Sequence, residues 1–177
     1  LVRTMRLRAR VPYYSDGIAE AIELPYKPER YSLIVAVPKA GNELSEVASA
    51  QYINATLVDL KGRERLVDVS LPAFDAHSYT DIADRLSGRE LTSLLCYSDL
   101  SQGIVSPLPI RISSMIQLVF FEVAEGGTEG AAATGITGEF IENTSPDEIF
   151  PLVFRVNRPF VFLLKDSETG LALFLGM

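Results

Sequence analysis

At the start of the chain Met5, Leu7, Ala9 and Val11 alternate with Arg6, Arg8 and Arg10, which predicts a strand with one dry face and one wet, basic face. Two apolar runs follow, IAEAIELPY (18–26) and YSLIVAVP (31–38), joined by the turn residues KPER. They read as a hairpin whose second strand is apolar at nearly every position and therefore buried on both faces. Over 41–60 the spacing changes to three and four, with Leu44, Val47, Ala48 and Leu57 on one stripe, predicting helix. RLVDVSLPAF (65–74) alternates again and meets Pro72. SYTDIADRLSG (78–88) reads as a short helix capped at Ser78 or Thr80 and stopped by Gly88. CYSDLSQGIVSPLP (96–109) has loop character, and PIRISSMIQLVFFEVAE (109–125) predicts a long strand. Residues 152–177 are β-rich, with the turn KDSETG between two apolar strands.

Composition fits a single globular domain: 177 residues, 47% hydrophobic and 22% charged. The net charge of −7 argues against a general binder of phosphate backbones, which carries a basic footprint. The basic face of the first strand is an exception, suited to a sulfated polysaccharide or simply to water. One cysteine and one histidine exclude an internal disulfide, a cysteine zinc cage and multi-histidine metal sites. No apolar run approaches the roughly 18–20 residues that span a bilayer. The chain opens at Leu1 inside a strand pattern, so no leader is legible and the compartment stays open.

The segment GGTEGAAATGITGEFIENTSPDEIF (126–150) stands apart, with small residues first, acidic and polar ones later, and no basic residue. Loops of roughly this length without structure of their own are rare in compact domains and usually carry function. Thr128, Gly130, Ala132, Thr134, Ile136 and Gly138 would share one face if the segment became a strand, and that face is small or apolar. Glu129 and Glu139 lead the opposite face. The pattern is that of a latent strand, although composition alone favours a plain flexible linker.

The run Glu125-Gly126-Gly127-Thr128-Glu129-Gly130-Ala131-Ala132-Ala133-Thr134 resembles the hinge that begins the reactive-centre loop of serpins. Val156-Asn157-Arg158-Pro159-Phe160-Val161-Phe162-Leu163-Leu164 resembles the signature that follows that loop. Upstream, Glu23-Leu24-Pro25-Tyr26, Ser32 to Pro38, Ser70-Leu71-Pro72-Ala73-Phe74 and Asp99-Leu100-Ser101 match serpin blocks in order, and Leu173-Phe174-Leu175-Gly176 fits the last strand. The resemblance implies an α+β serpin fold of mixed sheets and helices. Residues 1–177 would be the β-rich C-terminal portion of a single serpin domain, with 125–154 as reactive-centre loop. The N-terminal half is expected from a second chain or an omitted segment. Without it the strand at 109–125 would lack partners and the piece would not fold stably alone.

The implied activity is suicide inhibition of a serine protease, with the inhibitor as a protein ligand and not an enzyme. The cut loop inserts into the large sheet and traps the acyl-enzyme. Family spacing from Glu125 puts the reactive bond at Ile141–Glu142, with Phe140 and Asn143 as alternative scissile positions. The absence of Lys and Arg between Thr128 and Phe154 disfavours arginine-directed proteases. Phe140 and Ile141 favour an apolar pocket of elastase, chymotrypsin or subtilisin type. Gln117 stands where the family usually has a histidine beneath the sheet opening, the one encouragement for a non-inhibitory carrier or chaperone. Neither cofactor nor metal is implied, neither nucleic acid nor membrane is expected as a partner, and the family leans toward an extracellular setting.

Other chemistry-bearing residues carry less. A Cys96–His77 dyad would make the chain a hydrolase, but no orienting group is evident. Asp81, Asp84 and Glu90 read as a solvated helix face, and Glu20 with Glu23 has no distinctive hydrolase spacing. Gly126-Gly127 lacks the following Lys-Ser/Thr of a phosphate loop.

Overall fold

The computed structural model describes residues 3–27, 30–82, 114–124 and 150–177. Residue contacts divide the chain into two units, residues 1–74 with 123–177, and residues 75–122.

The first unit is built on a sheet of seven described strands in the order β7-β4-β1-β2-β3-β8-β9. β1 (Thr4–Ser15) is long enough to serve two neighbours. Thr4 to Pro12 pairs antiparallel with β4 (Glu64–Pro72), and Tyr13 to Ser15 pairs with β2 (Ala19–Pro25). The predicted hairpin is present, Ile22 facing Val35 across β2 and β3 (Tyr31–Pro38). Every residue of β3 after Tyr31 is buried, as its unbroken apolar run requires of a strand covered on both faces. β8 (Val161–Asp166) pairs antiparallel with the other edge of β3, and β9 (Ala172–Gly176) closes the sheet against β8. Gly170, at φ 73°, makes the turn between them. A Cβ on Gly176 would lie 2.4 Å from the Phe162 ring, so only glycine lets the last strand seat over that side chain.

The helical stretch predicted over 41–60 resolves into α1 (Leu44–Val47) and α2 (Ala50–Leu60). Ser49 caps α2 by accepting from the Tyr52 N–H at 3.2 Å. Val47 and Leu60 pack with Ala19, Ala21, Ile34, Ala36, Val161 and Leu163, residues that share one face of β2, β3 and β8. Small side chains on β2 allow the helices to approach closely.

Asp16 ties α2 to the β1–β2 turn. Its carboxylate accepts from the backbone N–H groups of Ile18 (2.7 Å) and Ala19 (2.8 Å), from Tyr52 OH (3.0 Å) and from Tyr14 OH (3.3 Å). Burial works to raise its pKa, but these donors outweigh it and hold the carboxyl below its ordinary value. A carboxylate with a depressed folded-state pKa contributes stability that is present above the unfolded value of 3.8 and lost as pH falls through the folded one. In the full-length protein, Asp16→Asn is therefore expected to lower the urea midpoint at pH 7. The gap to wild type should close as both are titrated below about pH 4, and a gap constant from pH 7 to pH 3 would contradict this assignment.

In the second unit, β5 (Phe74–Asp81, beginning one residue before the division) pairs with β6 (Ile116–Val123, running one residue beyond it). The end of β5 meets the start of β6, where Asp81 accepts from Ser114 Oγ (2.8 Å) and Met115 N (3.1 Å). This corrects the predicted helix start, since Ser78 and Thr80 lie within a strand. Half-buried Phe74 and Ala76 alternate there with exposed Asp75, His77 and Tyr79, a period of two that overrides the local capping chemistry. The remainder of that helix, 83–88, lies outside the described residues. β6 has β5 on one edge, which corrects the expectation that this strand lacks partners.

Candidate functional site

The hinge Glu125, Gly127, Thr128, Glu129, Gly130, Ala131, Ala132, Ala133 and Thr134, the reactive bond Ile141–Glu142, and Phe140 and Asn143 all lie outside the described residues. The structure describes the strand that leads into this segment and the strand that leads out.

β6 leads in. Phe121 and Val123 are buried, while Leu118 and Phe120 are 76% and 59% exposed. Gln117 lies on the face of Val119, Phe121 and Val123, near the strand's start, and is exposed.

β7 (Leu152–Arg155) leads out. It pairs parallel with β4, in the register Leu152 to Val67 through Arg155 to Ser70, and Val156 N donates to Ser70 O at 2.9 Å. A four-residue parallel edge strand has few ladder bonds, so its seat depends on Phe154, which has no exposed surface. The signature residues beyond it are fixed by aromatic contacts. Phe74 meets Phe160 edge-on at 5.2 Å and Phe162 at 5.1 Å between ring centroids. The block at 70–74 and the signature at 156–164, far apart in sequence, thus meet in one cluster.

Of the alternative constellations only some residues are described. His77 Nε2 is 3.0 Å from Asp75 Oδ2 and its ring lies 4.8 Å from Phe120, while Cys96 is outside the described residues. Asp81 is engaged at the β5–β6 junction as described, and Asp84 and Glu90 are not described. Glu20 and Glu23, three apart on a strand, point to opposite faces. Glu23 pairs with Lys165 at 2.8 Å, a contact between distant strands that no local pattern announces. No group of three or more His, Cys, Asp or Glu among the described residues could hold a metal ion. A cavity of about 20 Å³ between α2 and the sheet, lined by Ile34, Tyr52, Leu57 and Leu163 among others, has room for roughly one water.

The basic strand predicted at the start of the chain is present. Arg6, Arg8 and Arg10 are exposed on one face of β1. Arg8 Nη2 donates to Asp68 Oδ2 at 2.8 Å and its Nε donates to the other carboxylate oxygen. Hydrogen bonding to Arg8 holds the Asp68 carboxyl below its ordinary value.

A family model described as Serpin (serine protease inhibitor) matches residues 1–177. A serpin-like protein of Thermococcus kodakarensis is 33% identical over 99% of this chain and 41% of its own length. Human Serpin I2 is 31% identical over 96% of this chain and 42% of its own. Antichymotrypsin-2 of Bombyx mori is 32% identical over 90% and 42%. Among solved structures, native protease nexin-1 with heparin superposes with a TM-score of 0.70 at 24% identity, covering 98% of this chain and 46% of that one. The thermophilic serpin tengpin in its native state gives 0.65 at 24% identity, covering 98% and 45%. The chain spans about two fifths of the length of the curated relatives it matches. The family match over the whole chain and the sheet-rich fold agree, the block at 99–101 lying outside the described residues: this chain belongs to the serpin family, with the sheet-rich, helix-poor character of a C-terminal portion of that fold.

Proposed function

We propose that the chain is the bait-bearing portion of a suicide inhibitor of serine proteases, residues 125–154 forming the reactive-centre loop. The observation that carries this reading is the hinge composition: Thr128, Gly130, Ala132 and Thr134 are small and uncharged on one strand face. Such a face enters a sheet without steric or desolvation cost. The target is a protease with an apolar primary pocket, suited to Phe140 and Ile141.

In the proposed reaction the protease's serine oxygen adds to the Ile141 carbonyl carbon, and the Ile141–Glu142 C–N bond breaks. The Glu142 amine leaves with the proton that the protease's general base took from the serine. The ester that remains would be hydrolysed unless the loop inserts first as an added strand. Insertion drags the esterified enzyme and pulls its oxyanion donors out of place, each worth roughly 3–4 kcal/mol of barrier. The large sheet that accepts the loop needs strands from the N-terminal half of the same protein, which is therefore the first partner.

The test mixes the full-length protein with elastase, chymotrypsin, subtilisin and trypsin, followed by denaturing electrophoresis and mass spectrometry. The expected result is a covalent band with an apolar-specific protease and a released peptide beginning at Glu142. Cleavage without any covalent band would move the carrier or chaperone reading, for which Gln117 speaks, ahead of inhibition.

A further inference from the structure

Cross-strand register places a second cationic element on the face of Arg6, Arg8 and Arg10 that the sequence keeps far from them. Arg6 pairs with Ser70 across β1 and β4, and Ser70 pairs with Arg155 across β4 and β7. Directly paired residues share a face, so Arg6, Ser70 and Arg155 form one row over three strands. At roughly 4.8 Å per strand, the two arginine backbones stand roughly 10 Å apart with a hydroxyl between them. The next row is Arg8, Asp68 and Val153, in which Arg8 and Asp68 neutralise each other. Among the described residues neither Arg6 nor Arg155 has an ion-pair partner, and both are exposed. A chain of net charge −7 thus carries a face on which Arg6, Arg8, Arg10 and Arg155 outnumber the carboxylates Asp68 and Glu64.

We propose that this face is a docking surface for an acidic patch on the target protease, outside its active-site cleft. The inference rests on the inhibitory reading above and names what the same encounter recognises. Three observations select a protein partner over a sulfated polysaccharide. Val153, 55% exposed, and Leu66 share the face, giving the mosaic of charge and apolar surface that protein interfaces use. Arg155 follows Glu142 by only thirteen residues, a tether of at most about 45 Å, so a protease at the bait is held within reach. All the cations are arginines, whose planar forks match carboxylates in bidentate pairs. Such a surface acts chiefly on the rate of encounter.

The experiment uses the full-length protein with Arg6→Gln/Arg155→Gln, the charge-conserving Arg6→Lys/Arg155→Lys, and Lys61→Gln on the α2 terminus as control. Circular dichroism verifies folding. A labelled deca-glutamate peptide and a heparin octasaccharide are the binding probes, and association rates are taken with each protease that forms a covalent complex. The glutamine pair should weaken deca-glutamate binding on the order of tenfold. It should slow association at low ionic strength, and the difference should vanish near 0.5 M salt. The lysine pair should fall between and the control should match wild type. Unchanged deca-glutamate binding, association rates that ignore the glutamine pair, or a loss seen with heparin alone would each overturn the proposal, the last in favour of a polysaccharide site. If no protease is trapped, the inhibitory reading fails and this protease-docking proposal fails with it. Trapping that is indifferent to the arginines removes the docking surface alone.

Discussion

If the proposed inhibitory reading holds, full-length protein carrying Ala132→Arg is expected to be cleaved by the target protease and to form almost no covalent complex. Under the proposed mechanism positions 128, 130, 132 and 134 would share the strand face that enters the sheet. A guanidinium there has to leave water without a partner, opposing insertion by about 3 kcal/mol or more, which is on the order of a hundredfold in rate. Hydrolysis of the acyl-enzyme then wins the competition. The same change at Ala133, on the opposite face, should leave most of the complex intact. The measurement is the ratio of covalent band to cleaved inhibitor on a denaturing gel. Equal ratios for the two variants would remove the basis for calling this segment an inserting strand.

A second large effect is expected at Phe154, in the strand that follows the proposed reactive-centre loop. Its side chain has no exposed surface and lies on a four-residue strand at the edge of the sheet. Truncation to alanine removes the main apolar anchor of β7 and costs about 3–5 kcal/mol. In a full-length protein the size of its relatives, of which this chain spans about two fifths, that corresponds to a fall in Tm of about 3–6 °C. Val153→Ala next to it, on the exposed face, should change stability by no more than about 0.5 kcal/mol. Thermal unfolding of the two full-length variants separates them, and similar Tm values would mean that β7 is not seated as described.

Much of this architecture was legible along the chain. The alternation at 5–11, the apolar run at 31–38 and the turn at 165–170 became β1, β3 and the β8–β9 hairpin with little shift. The helix over 41–60 was found as one piece because its apolar spacing continues through the break at 48–49, where Ser49 starts a new helix. The misreading at 78–81 had a physical cause. Ser78, Thr80 and Asp81 suit a helix N-terminus in isolation, and only pairing with β6 makes them a strand. Neither Glu23–Lys165 nor the row Arg6–Ser70–Arg155 was legible, because each joins strands whose adjacency is a property of topology. For the proposed reactive-centre loop the reverse holds. Its composition and its match to a known motif carry the whole reading, since the described strands speak only of how it is entered and left.

The position of β3 has a consequence for how the protein is made. This strand, buried at all but its first residue, lies between β2 and β8. β2 leaves the ribosome just before it, but β8 follows only after residues 39–160 have been synthesised. At a typical rate of roughly 5–20 residues per second, β3 waits several seconds with one apolar edge uncovered. During that interval the same strand of a nascent chain on an adjacent ribosome can compete for β8's place. The final strands therefore act as an intramolecular rescue of a hairpin that local sequence forms early, and translation speed over 39–160 sets how long the nascent chain remains open to mispairing.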